Sequence, residues 1–102
     1  MTTETDVIER VDAVTLLQRP KMYCVVLHND DTTTFDFVRA VLMQIFHHTA
    51  ESAMEIVLQI HNGQRGVAGG PYTHEVAEEK QRETVLFARA NGFALVATVE
   101  EV

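Results

Sequence analysis

The stretch that decides the fold reads YCVVLHNDDTTTFDFVRAVL, residues 23–42. From Met22 to Leu27 the residues are β-branched, aromatic or otherwise apolar, in a run too short for a helix, which predicts a strand covered on both faces or nearly so. Beyond the polar junction, Thr33 or Thr34 can cap a helix that faces the core. Its apolar residues recur every three or four positions, at Phe35, Val38, Leu42 and Ile45.

A second helix follows closely. His47 and His48 end the first helix, and Thr49 opens the second with Glu51 in its first turn. Asn62-Gly63 stops it, since both residues tolerate a left-handed backbone. The predicted apolar stripe of this helix consists of Ala50, Met54, Val57 and Leu58.

The next segment, residues 63–72, is rich in glycine, so we expect only a short, irregular strand around Val67, with a bulge or a close backbone contact. Thr73 then caps a third helix over residues 74–90, and Asn91-Gly92 closes it before a last strand at residues 93–99. The apolar stripe predicted for this helix is narrow and comprises Val76, Ala77, Val85 and Ala88.

The order of elements is therefore β-α-α-β-α-β. It predicts an α+β fold with three helices packed on a small, three-stranded, mostly antiparallel sheet. Residues 1–20 are polar and acidic and end at Arg19-Pro20, so we expect a flexible N-terminal extension followed by a core at residues 21–102. Val7, Val11, Val14 and Leu17 recur at helical spacing, and two interpretations stay open: an amphipathic helix that forms on a surface, or a frayed tail with chance spacing.

Composition narrows the class of protein. A chain of 102 residues with 46% apolar residues can bury one modest core without metal or disulfide support. A net charge of −7 without a basic cluster argues against nucleic acid as a partner. No apolar stretch reaches membrane-spanning length, and Cys24 is the only cysteine. We therefore expect a soluble, cytoplasmic protein, monomeric and without contact to a membrane.

Candidate binding residues gather at the junction after the first strand. Asn29, Asp30 and Asp31 lie between a strand end and a helix start, where binding groups are often placed. They have a structural interpretation too, because Asn and Asp favour turns and acids are stabilised near a helix N-terminus. His61 lies four residues after Val57 at the end of the second helix, where it either caps the helix or, if that helix packs beside the junction, joins the acids at a pocket mouth. Such a mouth would bind a cation.

Four segments together carry a resemblance to a known family: residues 22–42 (MYCVVLHNDDTTTFDFVRAVL), 51–61 (ESAMEIVLQIH), 72–80 (YTHEVAEEK) and 94–101 (ALVATVEE). They resemble ClpS, the adaptor that delivers N-degron substrates to the ClpA unfoldase of the ClpAP protease. The likeness covers about residues 20–101. It implies a non-enzymatic adaptor with no catalytic residues, no cofactor and no metal. Its partners would be the N-terminal domain of a ClpA-type AAA+ unfoldase and proteins with an N-terminal Leu, Phe, Tyr or Trp.

The resemblance also implies roles for individual residues. Asn29, Asp31 and His61 would bind the α-ammonium and first peptide group of the ligand, with Asp30 alongside. Glu75 and Lys80 match positions that face the unfoldase. The hydrophobic pocket would be lined by Leu27, His28, Thr33, Phe35, Val38, Val57, Ile60 and Leu95.

Some residues depart from the family pattern. Phe35, Val38 and Val57 stand where methionines are usual at the pocket gate and in its walls, and the glycine-rich segment is one residue longer. These changes leave a second interpretation open, in which the domain docks on the unfoldase but its pocket is lost or retargeted. Two other classes remain weaker: a metal site made from the histidines and acids, which show no HxxxH pair, and a thiol enzyme using Cys24, which has no base beside it in sequence.

Overall fold

The computed structural model of the protein describes residues 20–102. The prediction of a flexible extension at residues 1–20 therefore lies, except for Pro20, outside the described residues. The elements in chain order are β1 (Tyr23–His28), α1 (Phe35–Gln44), α2 (Ala50–Gly63), β2 (Arg65–Tyr72), α3 (His74–Ala90) and β3 (Val96–Glu101). The predicted α+β class and the order β-α-α-β-α-β are confirmed. Within residues 20–102, none of the helices combines the length and apolarity needed to cross a membrane.

The sheet has β1 at its centre, in the order β2-β1-β3, and both strand pairs are antiparallel. The register of β1 against β3 is regular, from Tyr23 opposite Glu101 to His28 opposite Val96. Val25, Val26 and Leu27 are fully buried, as expected for a central strand with a neighbour on each side. The last residue of β1, His28, opens directly into the Asn-Asp-Asp junction.

Strand β2 is irregular, as predicted, but it is longer than the short strand that was expected around Val67. It runs for eight residues beside β1, and Val26 pairs with Val67 while Val25 pairs with Gly69, so that Ala68 is an extra residue in a bulge. The glycines permit close packing: a Cβ on Gly66 would lie 2.9 Å from Ile60 Cγ1 of α2. Glycine therefore brings the strand close to α2, so the predicted bulge and close backbone contact are both present.

Threonine begins each helix, as the sequence predicted. The side chains of Thr34, Thr49 and Thr73 each accept a hydrogen bond from the backbone N–H group three residues further on. Each helix also has an acid in its first turn, where the helix dipole stabilises negative charge. These local signals fix where the helices start, and hence the position of Phe35 directly after the junction.

The helices present partly different faces to the core from those predicted. In α2, Met54 and Leu58 are exposed, and the buried residues are Ala53, Ile56, Val57 and Ile60. In α3, Val76 is exposed, and the buried residues are Ala77, Thr84 and Ala88. Apolar residues occupy two adjacent rows of α2, so periodicity alone could not choose between them. The sheet buries the row that carries the isoleucines and leaves the methionine row free.

Gly69 provides a test of the close packing of β2. A Cβ there would clash with Tyr72 Oη and would lie 2.8 Å from Phe46 Cδ1, so we expect Gly69→Ala to lower the free energy of unfolding by about 1–3 kcal/mol. Gly63→Ala is the matched control, since a Cβ there meets nothing within 4 Å and the change should be neutral or slightly stabilising. Urea unfolding of both variants measures the difference, and equal stability would contradict the packing described.

Candidate functional site

A recess lies where the end of β1, the start of α1 and the end of α2 meet. Polar residues from the junction form one side of it and apolar side chains of both helices form the walls. Ten residues line it: His28, Asn29, Asp30, Thr33, Phe35, Val38, Val57, Ile60, His61 and Leu95. All ten are residues that the sequence placed in the candidate site, so residues far apart in the chain converge on one recess.

Asn29 ties the junction to the end of α2. Its backbone N–H donates to the Gln64 carbonyl oxygen at 2.8 Å, and its side-chain Nδ2 donates to Gln64 Oε1 at 3.3 Å. Gln64 caps α2 in the left-handed conformation, with φ of 71°. The sequence had assigned that conformation to Asn62-Gly63, the two residues directly before Gln64. The Asn29–Gln64 contacts place the end of α2, and with it His61, beside the acids.

Asp30 organises the loop that follows. Its carboxylate accepts hydrogen bonds from the backbone N–H of Thr32 at 2.8 Å and of Thr33 at 2.6 Å, and from the Thr33 hydroxyl at 2.7 Å. Partial burial by itself would raise the pKa of Asp30, but these hydrogen bonds outweigh it and hold the pKa below its ordinary value. Asp30 therefore forms the turn and also keeps a negative charge at the recess.

Two predicted site residues take other positions. Asp31 is exposed and is not part of the lining, although it neighbours Asp30 at the rim. Leu27 is fully buried in the core below the recess and is also not part of the lining. Side chains on a strand alternate between faces, so Leu27 points into the core while His28 lies on the opposite face of the sheet.

His28 contacts Thr98 of the neighbouring strand β3 on the outer face of the sheet. Its Nε2 lies 2.8 Å from Thr98 Oγ1 of β3, and Thr98 in turn lies 3.3 Å from Glu100 Oε2. Glu100 also accepts a hydrogen bond from Arg65 of β2, which lowers the pKa of its carboxyl. Sequence reasoning missed Thr98 as the partner of His28, because the pairing depends on the register of two strands about 70 residues apart.

Phe35 and His61 meet at the mouth of the recess. Their ring centroids are 4.9 Å apart with an interplanar angle of 74°, so one ring presents its edge to the other. Phe35 remains 43% exposed and His61 is also exposed. Since Phe35 starts α1 and His61 ends α2, this contact joins the two helices across the opening.

The recess is narrow. The space open to a water-sized sphere is only about 10 Å³, which is room for about one water molecule. A leucine or phenylalanine side chain therefore needs one wall to move before it can enter. Phe35 is the apolar lining side chain with the most freedom to do so, since Val38, Val57 and Ile60 are buried in the core.

The two predicted unfoldase contacts lie on α3. Glu75 is exposed in its first turn. Lys80 is less free, because its Nζ donates a hydrogen bond at 2.9 Å to the Ile45 carbonyl oxygen at the end of α1. A lysine there satisfies a terminal carbonyl and neutralises the negative end of the helix dipole. Lys80 thus has a structural role that the sequence did not indicate.

The rival chemistries find little support in the part of the chain that the structure describes. Across residues 20–102, no group of three or more His, Cys, Asp or Glu side chains is arranged to hold a metal ion. Cys24 is half-buried, is the second residue of β1 and pairs with Glu100 of β3. Its strand partner is an acid, and reactive cysteines lie instead beside a base or a cation.

Comparison with known proteins agrees with this architecture. Residues 18–98 match the family model described as ATP-dependent Clp protease adaptor protein ClpS. The chain belongs to the ClpS family. The earlier resemblance is thereby confirmed, and the protein is an adaptor of the Clp protease and not an enzyme.

Individual members of the ClpS family are similar over most of the chain. The adapter protein ClpS of Lawsonia intracellularis is 50% identical over 86 residues, which cover 84% of this chain and 78% of that protein. ClpS of Syntrophus aciditrophicus is 40% identical over the full length of both chains. A solved structure of Agrobacterium tumefaciens ClpS2 bound to L-phenylalaninamide superposes with a TM-score of 0.78 at 31% identity, covering 82% of this chain and all of that one.

Asp30 provides a test of the turn beside the recess. We expect Asp30→Asn to lower the free energy of unfolding by about 1 kcal/mol at neutral pH, because the neutral amide is a weaker acceptor for the Thr32 and Thr33 donors. Asp31→Asn is the control, since Asp31 is exposed and should change stability little. Folding lowers the pKa of Asp30, so its stabilisation is complete above about pH 4 and is lost as the pH falls through the lower folded pKa.

Urea unfolding at a series of pH values measures this effect. The stability difference between wild type and Asp30→Asn should shrink towards zero in strong acid. A difference that stays constant down to the lowest pH at which the protein folds would show that the charge of Asp30 does not stabilise the turn.

Proposed function

We propose that the protein captures substrate proteins through a free N-terminal Leu, Phe, Tyr or Trp and delivers them to the ClpA-type AAA+ unfoldase of the ClpAP protease. One observation carries the proposal: the recess combines a polar, negatively charged side, formed by Asn29 and Asp30, with apolar walls from two helices. His61 stands at its mouth. That combination matches a residue that has a cationic amine and a large apolar side chain.

The polar side suits an α-ammonium group. A free α-amino group has a pKa of about 8, so it is largely cationic at neutral pH, whereas an internal peptide group carries no charge. The Asp30 carboxylate is held ionised by its hydrogen bonds, and Asn29 and His61 offer further polar atoms. Asp31, exposed at the rim, adds negative potential without lining the recess. Acetylation of the ligand would remove the cation, and with it the electrostatic attraction to Asp30.

The apolar walls supply the second half of the affinity. Each charge-assisted hydrogen bond contributes about 1.5–3 kcal/mol, and burying a Leu or Phe side chain adds about 1.5–3 kcal/mol. Three such bonds and one side chain amount to about 6–12 kcal/mol before an association cost of about 4 kcal/mol or more. Affinity in the micromolar range is the expected result, and neither half of the ligand suffices alone.

A solved relative supports the same chemistry. Agrobacterium tumefaciens ClpS2 was determined bound to L-phenylalaninamide, which carries a free α-amino group, an aromatic side chain and an amide. The recess described above offers a partner for each of the three. Entry of such a side chain requires Phe35 to swing away from His61, because the closed recess has room for about one water molecule.

Binding assays with short peptides test the proposal. We expect fluorescently labelled peptides that begin with Leu, Phe, Tyr or Trp to bind with micromolar affinity, measured by fluorescence anisotropy. Peptides that begin with Ala should bind at least tenfold more weakly, because they bury little apolar area. Acetylating the N-terminus should remove binding of every peptide. Equal binding of free and acetylated forms would sink the capture proposal.

A second candidate function has one observation in its favour. The narrow recess, closed by the Phe35–His61 contact, also fits a domain that docks on the unfoldase but no longer binds N-terminal residues. In that case, the unfoldase would bind this protein while none of the free peptides did. Phe35→Ala distinguishes a recess that is only blocked by Phe35 from one that has lost its ability to bind. Removing the Phe35 ring should restore peptide binding in the first case and not in the second.

Docking on the unfoldase is tested separately on α3. We expect Glu75→Lys to weaken binding to the N-terminal domain of a ClpA-type unfoldase by about tenfold or more. The reason is that the substitution puts a positive charge on the proposed contact surface where the adaptor has a negative one. Peptide binding should stay unchanged. Glu79→Lys is the matched control: Glu79 lies one turn further along the same helix, where it pairs with Arg82.

Isothermal titration calorimetry with the isolated domain measures the docking. Equal effects of Glu75→Lys and Glu79→Lys would mean that only the net charge of α3 matters. Lys80 is a poorer probe, because its substitution also removes the hydrogen bond to Ile45 and would lower stability.

A further inference from the structure

A residue with a side chain occupies the left-handed position at the end of α2. Gln64 has φ of 71° and ψ of −10°, a backbone conformation that costs free energy for most residues other than glycine. Gly63, which would adopt it readily, lies directly before Gln64. The side chain at this strained position reaches back to the recess, since Gln64 Oε1 accepts a hydrogen bond from Asn29 Nδ2 at 3.3 Å.

This contact decides which atom Asn29 presents to a ligand. A side-chain amide has one donor group, Nδ2, and one acceptor, Oδ1, and the two leave the same carbon in different directions. Gln64 takes the donor, while its carbonyl oxygen accepts from the Asn29 backbone N–H at 2.8 Å and holds the two residues together. Among residues 20–102, no group donates a hydrogen bond to Asn29 Oδ1. The acceptor is therefore the atom that Asn29 offers to the recess, which it lines.

We infer that Gln64 is a positioning residue for capture: it fixes the Asn29 amide so that Oδ1 accepts a hydrogen bond from the α-ammonium group of the substrate. The inference rests on the proposed function, because it needs an N-terminal residue in the recess. An ammonium group has donors and no acceptor, so Asn29 binds it through Oδ1 and not through Nδ2. The opposite orientation of the amide would direct two donors at each other.

An amide that is fixed before the ligand arrives raises the affinity. When the amide is free to turn, only part of the protein presents the acceptor, and the apparent affinity falls by that fraction. Ordering the side chain during binding adds a further entropic cost. Asn29 and Gln64 are both exposed, so water competes for their hydrogen bond, and losing it should weaken binding severalfold without abolishing it.

Substitutions of Gln64 that differ in hydrogen-bonding capacity test the inference. Binding of a labelled peptide that begins with a free Leu is measured by fluorescence anisotropy in 0.5 M salt, where a screening length of about 4 Å suppresses long-range charge effects. Gln64→Met keeps the length but offers only a weak acceptor, and it should bind about three- to tenfold more weakly than wild type.

Two charged variants separate acceptor from donor. Gln64→Glu keeps an acceptor for Asn29 Nδ2 and should restore binding to within about twofold of wild type. Gln64→Lys has only donors, so it should turn the Asn29 amide round and weaken binding by about tenfold or more. Gln59→Met is the matched control for Gln64→Met, since Gln59 is exposed on α2 and does not line the recess.

A purely structural role of Gln64 predicts a different pattern. Gln64→Gly removes the side chain but relieves the left-handed backbone, so the free energy of unfolding in urea should change little. Peptide binding should nevertheless weaken as in Gln64→Met. Wild-type affinity in Gln64→Gly, or affinities that simply follow the unfolding free energies of the variants, overturns the inference.

The remaining outcomes separate the orientation of Asn29 from capture itself. Tighter binding by Gln64→Lys than by Gln64→Glu would mean that Nδ2 faces the ligand, which also overturns the inference. Equal binding of the free peptide by all Gln64 variants ends the role of Gln64 and leaves the proposed function intact. Failure of the proposed function looks different, because wild-type protein would then bind neither form of the peptide or would bind the acetylated form equally well.

Discussion

The hydrogen bonds between Asn29 and Gln64 are the constraint on which the site depends. They join the residue that follows β1 to the residue that ends α2, across 35 positions of sequence. Without them, the loop that carries Asp30 would not be tied to the end of α2, which carries His61. Gln64 reaches this position by adopting a left-handed conformation at the helix end. The local backbone of one residue thus sets the relative position of the acid and the imidazole, and the recess follows from it.

Several residues at the site combine a structural and a binding role. Asp30 closes the turn through Thr32 and Thr33, and the same hydrogen bonds keep it ionised for a cation. Phe35 begins α1 and covers the mouth against His61, so opening of the recess breaks a contact between two helices. Lys80 caps α1 through Ile45 while it lies on the helix proposed to dock on the unfoldase. In a chain of 102 residues, few side chains can be spared for binding alone.

Features that depend on near neighbours in the chain were predicted correctly, whereas features that depend on packing were predicted less well. Helix starts were predictable because a threonine cap acts on a backbone group only three residues away. The length of strand β2 was underestimated, because the effect of a glycine on a strand depends on what packs against it. Here Gly66 faces Ile60 of α2. The buried face of α2 was assigned to the row of Met54 and Leu58, because two adjacent rows are apolar and only the sheet selects one. The residues named for the recess do converge there, apart from Asp31 and Leu27, and their ligand stays a prediction.

The sequence by itself determined the order of the elements, the helix caps, the apolar central strand and the set of residues that carry the likeness to the ClpS family. These depend on interactions between near neighbours or on residue types, which are written directly in the chain. Only the tertiary structure decided the small volume of the recess, the Phe35–His61 contact and the exposure of Met54 and Leu58 on α2. Each of these depends on how two helices rotate and pack against one sheet. Such packing balances many small contact energies from distant residues, and no local pattern encodes it.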